Sequence, residues 1–190
     1  CDVVATASQK GWMLPPGLSF ISFSEKAWEA HADARMPRFY FDLSTYKRYF
    51  EIGQPPYTPS VSAMFALDLA LEKIMAEGMG SVFERHVAIG QMTREGIKEL
   101  GLSLFPQESV ASDTVTAVNV PEAVDAQRLL ALMKDEHDVV LAGGQGSLSG
   151  KIFRVGHMGL CTPEDIQGVL DALAVVLPQL GFAPPPASAG

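Results

Sequence analysis

The stretch "TPSVSAMFALDLALEKIMAEG" at 58–78 constrains the fold more than any other part of the chain. Thr58 is a good N-cap, Pro59 suits the first helical position, and Gly78 can close the far end. Between them Val61, Met64, Phe65, Leu67, Leu71, Ile74 and Met75 cover much of a helix circumference rather than one stripe. Such a helix calls for burial on several sides, as a helix joining two domains has. The chain is therefore read as two parts, one on each side of it.

Upstream, "CDVVA" at 1–5 is a short β-branched run with the pattern of a buried strand. "LSFISFS" at 18–24 alternates apolar and polar and reads as a strand, and "SEKAWEAHADA" at 24–34 reads as a helix capped by Ser24. The segment 38–50 is aromatic and irregular. Downstream the pattern is α+β. A helix is expected over 81–99, ended by Gly101, then strands at 102–105 and 114–120, and a helix at 125–137. Strands follow at 139–144 and 151–157. A last helix is capped by Thr162, with Pro163 at its first position and an apolar stripe from Ile166 to Leu180. The tail "APPPASAG" at 183–190 is expected to fray.

A chain of 190 residues is long enough for one sizeable core, or for a domain and part of another. Cys1 stands inside a strand where a start methionine would be, so the C-terminal part of a longer or processed protein is expected. Lys and Arg number 14 against 22 Asp and Glu, with no basic stripe interleaved with aromatics, which argues against a nucleic-acid partner. No apolar run approaches the ~20 residues of a membrane span. The two cysteines, Cys1 and Cys161, make no disulfide framework and point to a reducing compartment, the cytoplasm.

Three residues carry candidate chemistry. Lys10 follows the small residues Ala7 and Ser8 and precedes Gly11 and the Pro15-Pro16-Gly17 turn. A lysine held still on such a loop, in a pocket, becomes a nucleophile as its ammonium is desolvated. The alternative is a loop lysine reaching for water. Arg154, inside the apolar strand "KIFRVGH", has a planar fork that suits a carboxylate, of a ligand or of a structural salt bridge. Thr58 and the free N–H groups after it can bind phosphate, cap the helix, or both. Other motifs fail. "GGQGSLSGK" at 143–151 has Gln145 where a phosphate loop needs glycine, and its glycines suit a tight turn between strands. The four histidines lack metal-ligand spacing and read as structural.

Lysine, phosphate-ready helix start and carboxylate-ready arginine together fit a pyridoxal-phosphate enzyme of amino acids. In four ordered blocks, "SQKGWMLPPGLSFISFSEKAW", "YTPSVSAMFALDLAL", "ERH" at 84–86 and "GGQGSLSGKIFRVGHMG", the chain resembles the C-terminal half of a class V aminotransferase of the alanine–glyoxylate or serine–pyruvate type. The resemblance implies an α/β, fold-type I pyridoxal-phosphate transferase. Residues 1–57 would end the large cofactor-binding domain, 58–80 would be the linking helix, and 81–182 the small α+β domain. Lys10 would bind pyridoxal 5'-phosphate covalently, Gln9 and Thr58 would contact its phosphate, and Arg154 would hold the substrate carboxylate. Thr58 would do so across a homodimer. Where the family carries a tyrosine three residues before this threonine, Pro55 stands, and Tyr57 is its possible substitute. Small amino acids and keto acids would be the substrates, and the chain on its own would be inactive. Three alternatives stand beside this reading: a non-enzymatic α+β binding module over about 81–182, a hydrogenase-associated subunit, and a cysteine-desulfurase-type lyase using Cys161.

Overall fold

The computed structural model describes residues 1–183. The expected tail lies, from 184 on, outside the described residues. The chain divides into two compact units, Cys1–Ala76 and Glu77–Gly190.

In the first unit, β1 (Val3–Ala7) and β2 (Ser19–Phe23) form a two-stranded antiparallel ladder, Val3 opposite Phe23 and Ala7 opposite Ser19. The strand at the start is thus present but not buried: Val3 and Val4 are 47% and 54% exposed. β2 is its only ladder partner among the described residues. Helix α1 (Glu25–Asp33) starts where Ser24 accepts the Ala27 N–H. The segment expected to be irregular forms α2 (Leu43–Glu51), capped by Asp42, whose carboxylate accepts the Ser44 N–H. The aromatic density of 39–50 masks a helix here, with Phe39 and Phe41 exposed ahead of it and Phe50 exposed near its end. Helix α3 (Val61–Glu77) corrects two expectations. It begins at Val61 with the Ser60 carbonyl accepting the first helical N–H, from Met64, so Thr58 stands ahead of the cap position. Only Ala70 is fully buried, while Phe65 and Met75 are each 73% exposed. Its inner stripe is Ala63, Ala66, Leu67, Ala70 and Ile74, narrower than the apolar sequence implied.

In the second unit, α4 (Met79–Glu99) follows Gly78, whose φ of 83° separates it from α3. Gly101 (φ 76°) ends α4, and the Leu102 N–H returns to the Ile97 carbonyl, a glycine-dependent C-cap. The expected strand at 102–105 is reduced to a bridge, Leu104 opposite Val118. Strands β3 (Val115–Asn119), β4 (Ala142–Gly143) and β5 (Ile152–Gly156) form an antiparallel sheet in the order β3-β5-β4. Helix α5 (Ala126–His137) is capped by Asp125, and α6 (Pro163–Gln179) by a full capping box of Thr162 and Asp165. Thr162→Ala removes one side of that box and is expected to lower stability by about 1 kcal/mol, read from denaturant unfolding at unchanged slope.

The core is that of the second unit. Ile97, Leu129, Met133, Phe153, Leu173 and Leu177 are sealed from solvent. Helices α4 and α6 approach so closely that a Cβ on Gly96 would overlap the Leu170 side chain. Gly96→Ala is therefore expected to cost about 1–3 kcal/mol by overpacking, although alanine is the better helix former.

Candidate active site

The turn after β1 is built around Ser8, which is fully buried. Its hydroxyl donates to the Pro15 carbonyl at 2.8 Å and accepts the Leu18 N–H at 3.2 Å. Its backbone N–H bonds the Leu18 carbonyl and its carbonyl takes the Leu14 N–H, both at 3.0 Å. Trp12 Nε1 donates to Thr6 Oγ1 at 3.1 Å, and Met13 takes the left-handed φ of 62°. A short loop with its polar groups paired inward has little freedom, and it displays Gln9 and Lys10 on its exposed side. No carboxylate among the described residues lies within ion-pair distance of Lys10. A Cβ on Gly17, at the end of this loop, would lie 3.9 Å from Ser60 Oγ, so the lysine turn and the start of α3 are neighbours. Thr58 is exposed beside that start, and Tyr57 stacks on Tyr40 at 4.6 Å between centroids. A lysine on a rigid turn, and separately an exposed hydroxyl at a helix start, are groups that a phosphate-bearing aldehyde cofactor can use.

In the second unit, Arg154 lies on the central strand β5. Its neighbours Phe153 and Val155 point into the core, as do Val118 and Thr116 opposite them. Alternation puts Arg154 on the other face. There its cross-strand neighbours are Ala117 on β3 and Ala142 on β4, both too small to wall it in. The guanidinium is half-buried, and both Nε and Nη2 donate to the Gly143 carbonyl, at 3.1 and 2.9 Å. The structural salt bridge weighed for Arg154 does not form among the described residues. Gly144, next to that carbonyl, turns where a Cβ would overlap the Leu148 backbone, so the glycine run serves a tight turn between β4 and β5.

Two further side chains stand beside this strand, one of them a histidine that the sequence reads as structural. His157 is fully buried and shares a 2.9 Å hydrogen bond with Thr116 Oγ1, while its Nδ1 has no partner. Burial holds its pKa below the ordinary value, and the nearby Asp113 backbone pulls upward without reversing this. The unfolded chain then takes up a proton before the folded one as pH falls. Stability from this site is complete above about pH 6.5 and is lost on acidification below it. Thermal unfolding of the wild type is expected to drop between pH 7 and 5 by more than that of His157→Gln. The second neighbour is Arg85. It grips Glu77 with two hydrogen bonds, at 2.6 and 2.9 Å, and donates to the Gly159 carbonyl at 2.8 Å, tying down the loop after β5. This pairing holds the Glu77 carboxyl below the usual range. Cys161, on the same loop, is pushed up by burial and further by Asp165, which makes it a poor thiolate for lyase chemistry.

No protein-family model matches the chain. Sequence relatives do. The chain is 46% identical over 181 residues to a protein of Synechococcus sp. named soluble hydrogenase, small subunit, covering 95% of this chain and 47% of that one. It is 37% identical over 182 residues to the L-aspartate–glyoxylate aminotransferase of Paracoccus denitrificans, covering 95% and 46%. Among solved structures, pyridoxamine–pyruvate aminotransferase from Mesorhizobium loti superposes with a TM-score of 0.90 at 33% identity, covering 97% of this chain and 48% of that one. The chain thus spans about half the length of the relatives it matches. Its α/β architecture is that of fold-type I aminotransferases. Aminotransferases match it over nearly its full length in both sequence and structure, and these homologues and structure neighbours are class V aminotransferases.

Proposed function

We propose that this chain supplies the lysine and the carboxylate-binding arginine of a pyridoxal-phosphate-dependent transaminase. The enzyme would move the amino group of a small amino acid, alanine or serine, to glyoxylate or pyruvate. The observation that carries the reading is Lys10, a lysine without an acid partner among the described residues, on a turn locked by the buried Ser8. The names of the Paracoccus and Mesorhizobium relatives support glyoxylate and pyruvate as acceptors. In this reading 1–57 ends the cofactor-binding domain, 58–80 links it to the small domain at 81–182, and the active unit is a cytoplasmic homodimer. The free thiols of Cys1 and Cys161 accord with a reducing compartment. No helix among the described residues is long and apolar enough to cross a membrane.

Pyridoxal phosphate, when bound, supplies an electron sink that acidifies the substrate α-carbon. The residues of this chain do the rest. Lys10 anchors the cofactor and, as a free amine, takes the proton from the α-carbon and returns it on the acceptor side. Gln9 holds the phosphate of this chain's cofactor, and Thr58, with N–H groups of the first turn of α3, holds that of the partner subunit's cofactor. Arg154 binds the substrate by its carboxylate and so fixes its orientation.

The test uses full-length protein supplied with pyridoxal phosphate. A yellow absorbance bleached by borohydride, and amino transfer from alanine or serine to glyoxylate or pyruvate, is the expected result. Aspartate is the comparison donor, given the Paracoccus relative. A colourless protein without transfer would overturn the reading, and hydrogen uptake by that protein would favour the name the Synechococcus relative bears.

A further inference from the structure

We propose that the peptide between Gly143 and Gly144 positions Arg154 so that it receives the substrate carboxylate end-on, through Nη1 and Nη2, and not by its Nε edge. The inference rests on the reading of Arg154 as the carboxylate site and adds how that site is held. A guanidinium offers a carboxylate two bidentate edges, Nε with one N–H of Nη2, or Nη1 with the other. Here the first edge is occupied, since Nε and Nη2 converge on the Gly143 carbonyl at 3.1 and 2.9 Å. The second edge is unclaimed. Nη1 has no hydrogen-bond partner among the described residues. It is not sealed from solvent, because among the described residues His157 Nδ1 alone is a fully buried side-chain polar atom without a partner. The flanking Ala117 and Ala142 leave room on both sides of it.

The gripping carbonyl is itself pinned. The N–H of the same peptide, on Gly144, donates to the Ile152 carbonyl at 2.9 Å. A Cβ on Gly144 would overlap the backbone of Leu148 and stand 2.9 Å from Ile152 Cγ1. Backbone cannot yield as a side-chain tip does, so an added methyl must rotate this peptide and carry its carbonyl off the guanidinium. Gly143 and Gly144 are thus positioning residues. One holds the arginine, and the other keeps the holder in place.

The experiment compares Gly144→Ala, Arg154→Ala and the double variant in full-length, cofactor-loaded protein, with alanine and with ethylamine, which lacks the carboxylate. Gly144→Ala is expected to raise KM for alanine roughly tenfold or more by misplacing the arginine. The ethylamine rate and cofactor content should stay unchanged. In the Arg154→Ala background the same substitution should add nothing, a coupling that general structural damage would not show. If Arg154→Ala discriminates against alanine while Gly144→Ala harms both amines alike or neither, the positioning inference fails and the proposed function stands. If Arg154→Ala itself does not discriminate, the assignment of the carboxylate site fails first. Should Gly144→Ala not fold, arginine-labelled wild type decides by NMR with propionate as probe. The Arg154 Nε–H should remain protected while the Nη signals shift. An Nε response as large as that of Nη would overturn end-on binding.

Discussion

Lys10→Ala, in the full-length protein, is expected to lose amino transfer while keeping its fold. Proton transfer by a placed amine is worth roughly 10²–10⁴-fold, and the loss of covalent attachment adds to that. The pairs that lock the turn involve Ser8, Trp12 and backbone groups of Lys10, not its side chain, so the loop should survive the truncation. Pyridoxal phosphate should still bind through its phosphate, but borohydride should no longer attach it to the chain. Peptide mapping after reduction is the check. Label found on Lys26, Lys47 or Lys151 would show that another lysine does the work.

The second large effect is expected at Arg154. Removing one partner of a desolvated charge pair costs about 2–5 kcal/mol, or roughly thirty- to several-thousand-fold in kcat/KM. Arg154→Ala should impose that loss on alanine and spare a decarboxylated amine. Arg154→Lys keeps the charge but loses the fork and the grip on the Gly143 carbonyl, so it too should be impaired. Equal losses on both substrates would make Arg154 a structural residue.

What the sequence revealed follows from where the deciding physics is local. The start of α6 was legible because Thr162, Pro163 and Asp165 are its own cap. Ser24 before α1 was equally local. By contrast α2 lies in a segment that reads as irregular, because aromatics before and within it obscure an amphipathic helix capped by Asp42. The start of α3 was placed early, because Thr58-Pro59 imitates a cap that Ser60 provides two residues on. The burial expected for β1 and α3 depends on which surfaces meet them, and apolar composition alone does not say. At the candidate site, alternation in "KIFRVGH" picked out Arg154. Its partner is a backbone carbonyl 11 residues away, which side-chain motifs cannot encode. His157 reads as structural from its spacing, but its partner is fixed by a sheet register that puts it beside Thr116, 41 residues distant.

The close approach of α4 and α6 bears on how this protein can be stabilised by engineering. Helix interiors lose about 1 kcal/mol to each glycine relative to alanine, so helical glycines are the usual first targets. Gly96 on α4 and Gly168 on α6 would look alike to any rule based on propensity. Around Gly168 an added Cβ meets nothing within 4 Å, whereas at Gly96 it meets Leu170. The same methyl group should therefore raise the melting temperature from one helix and lower it from the other.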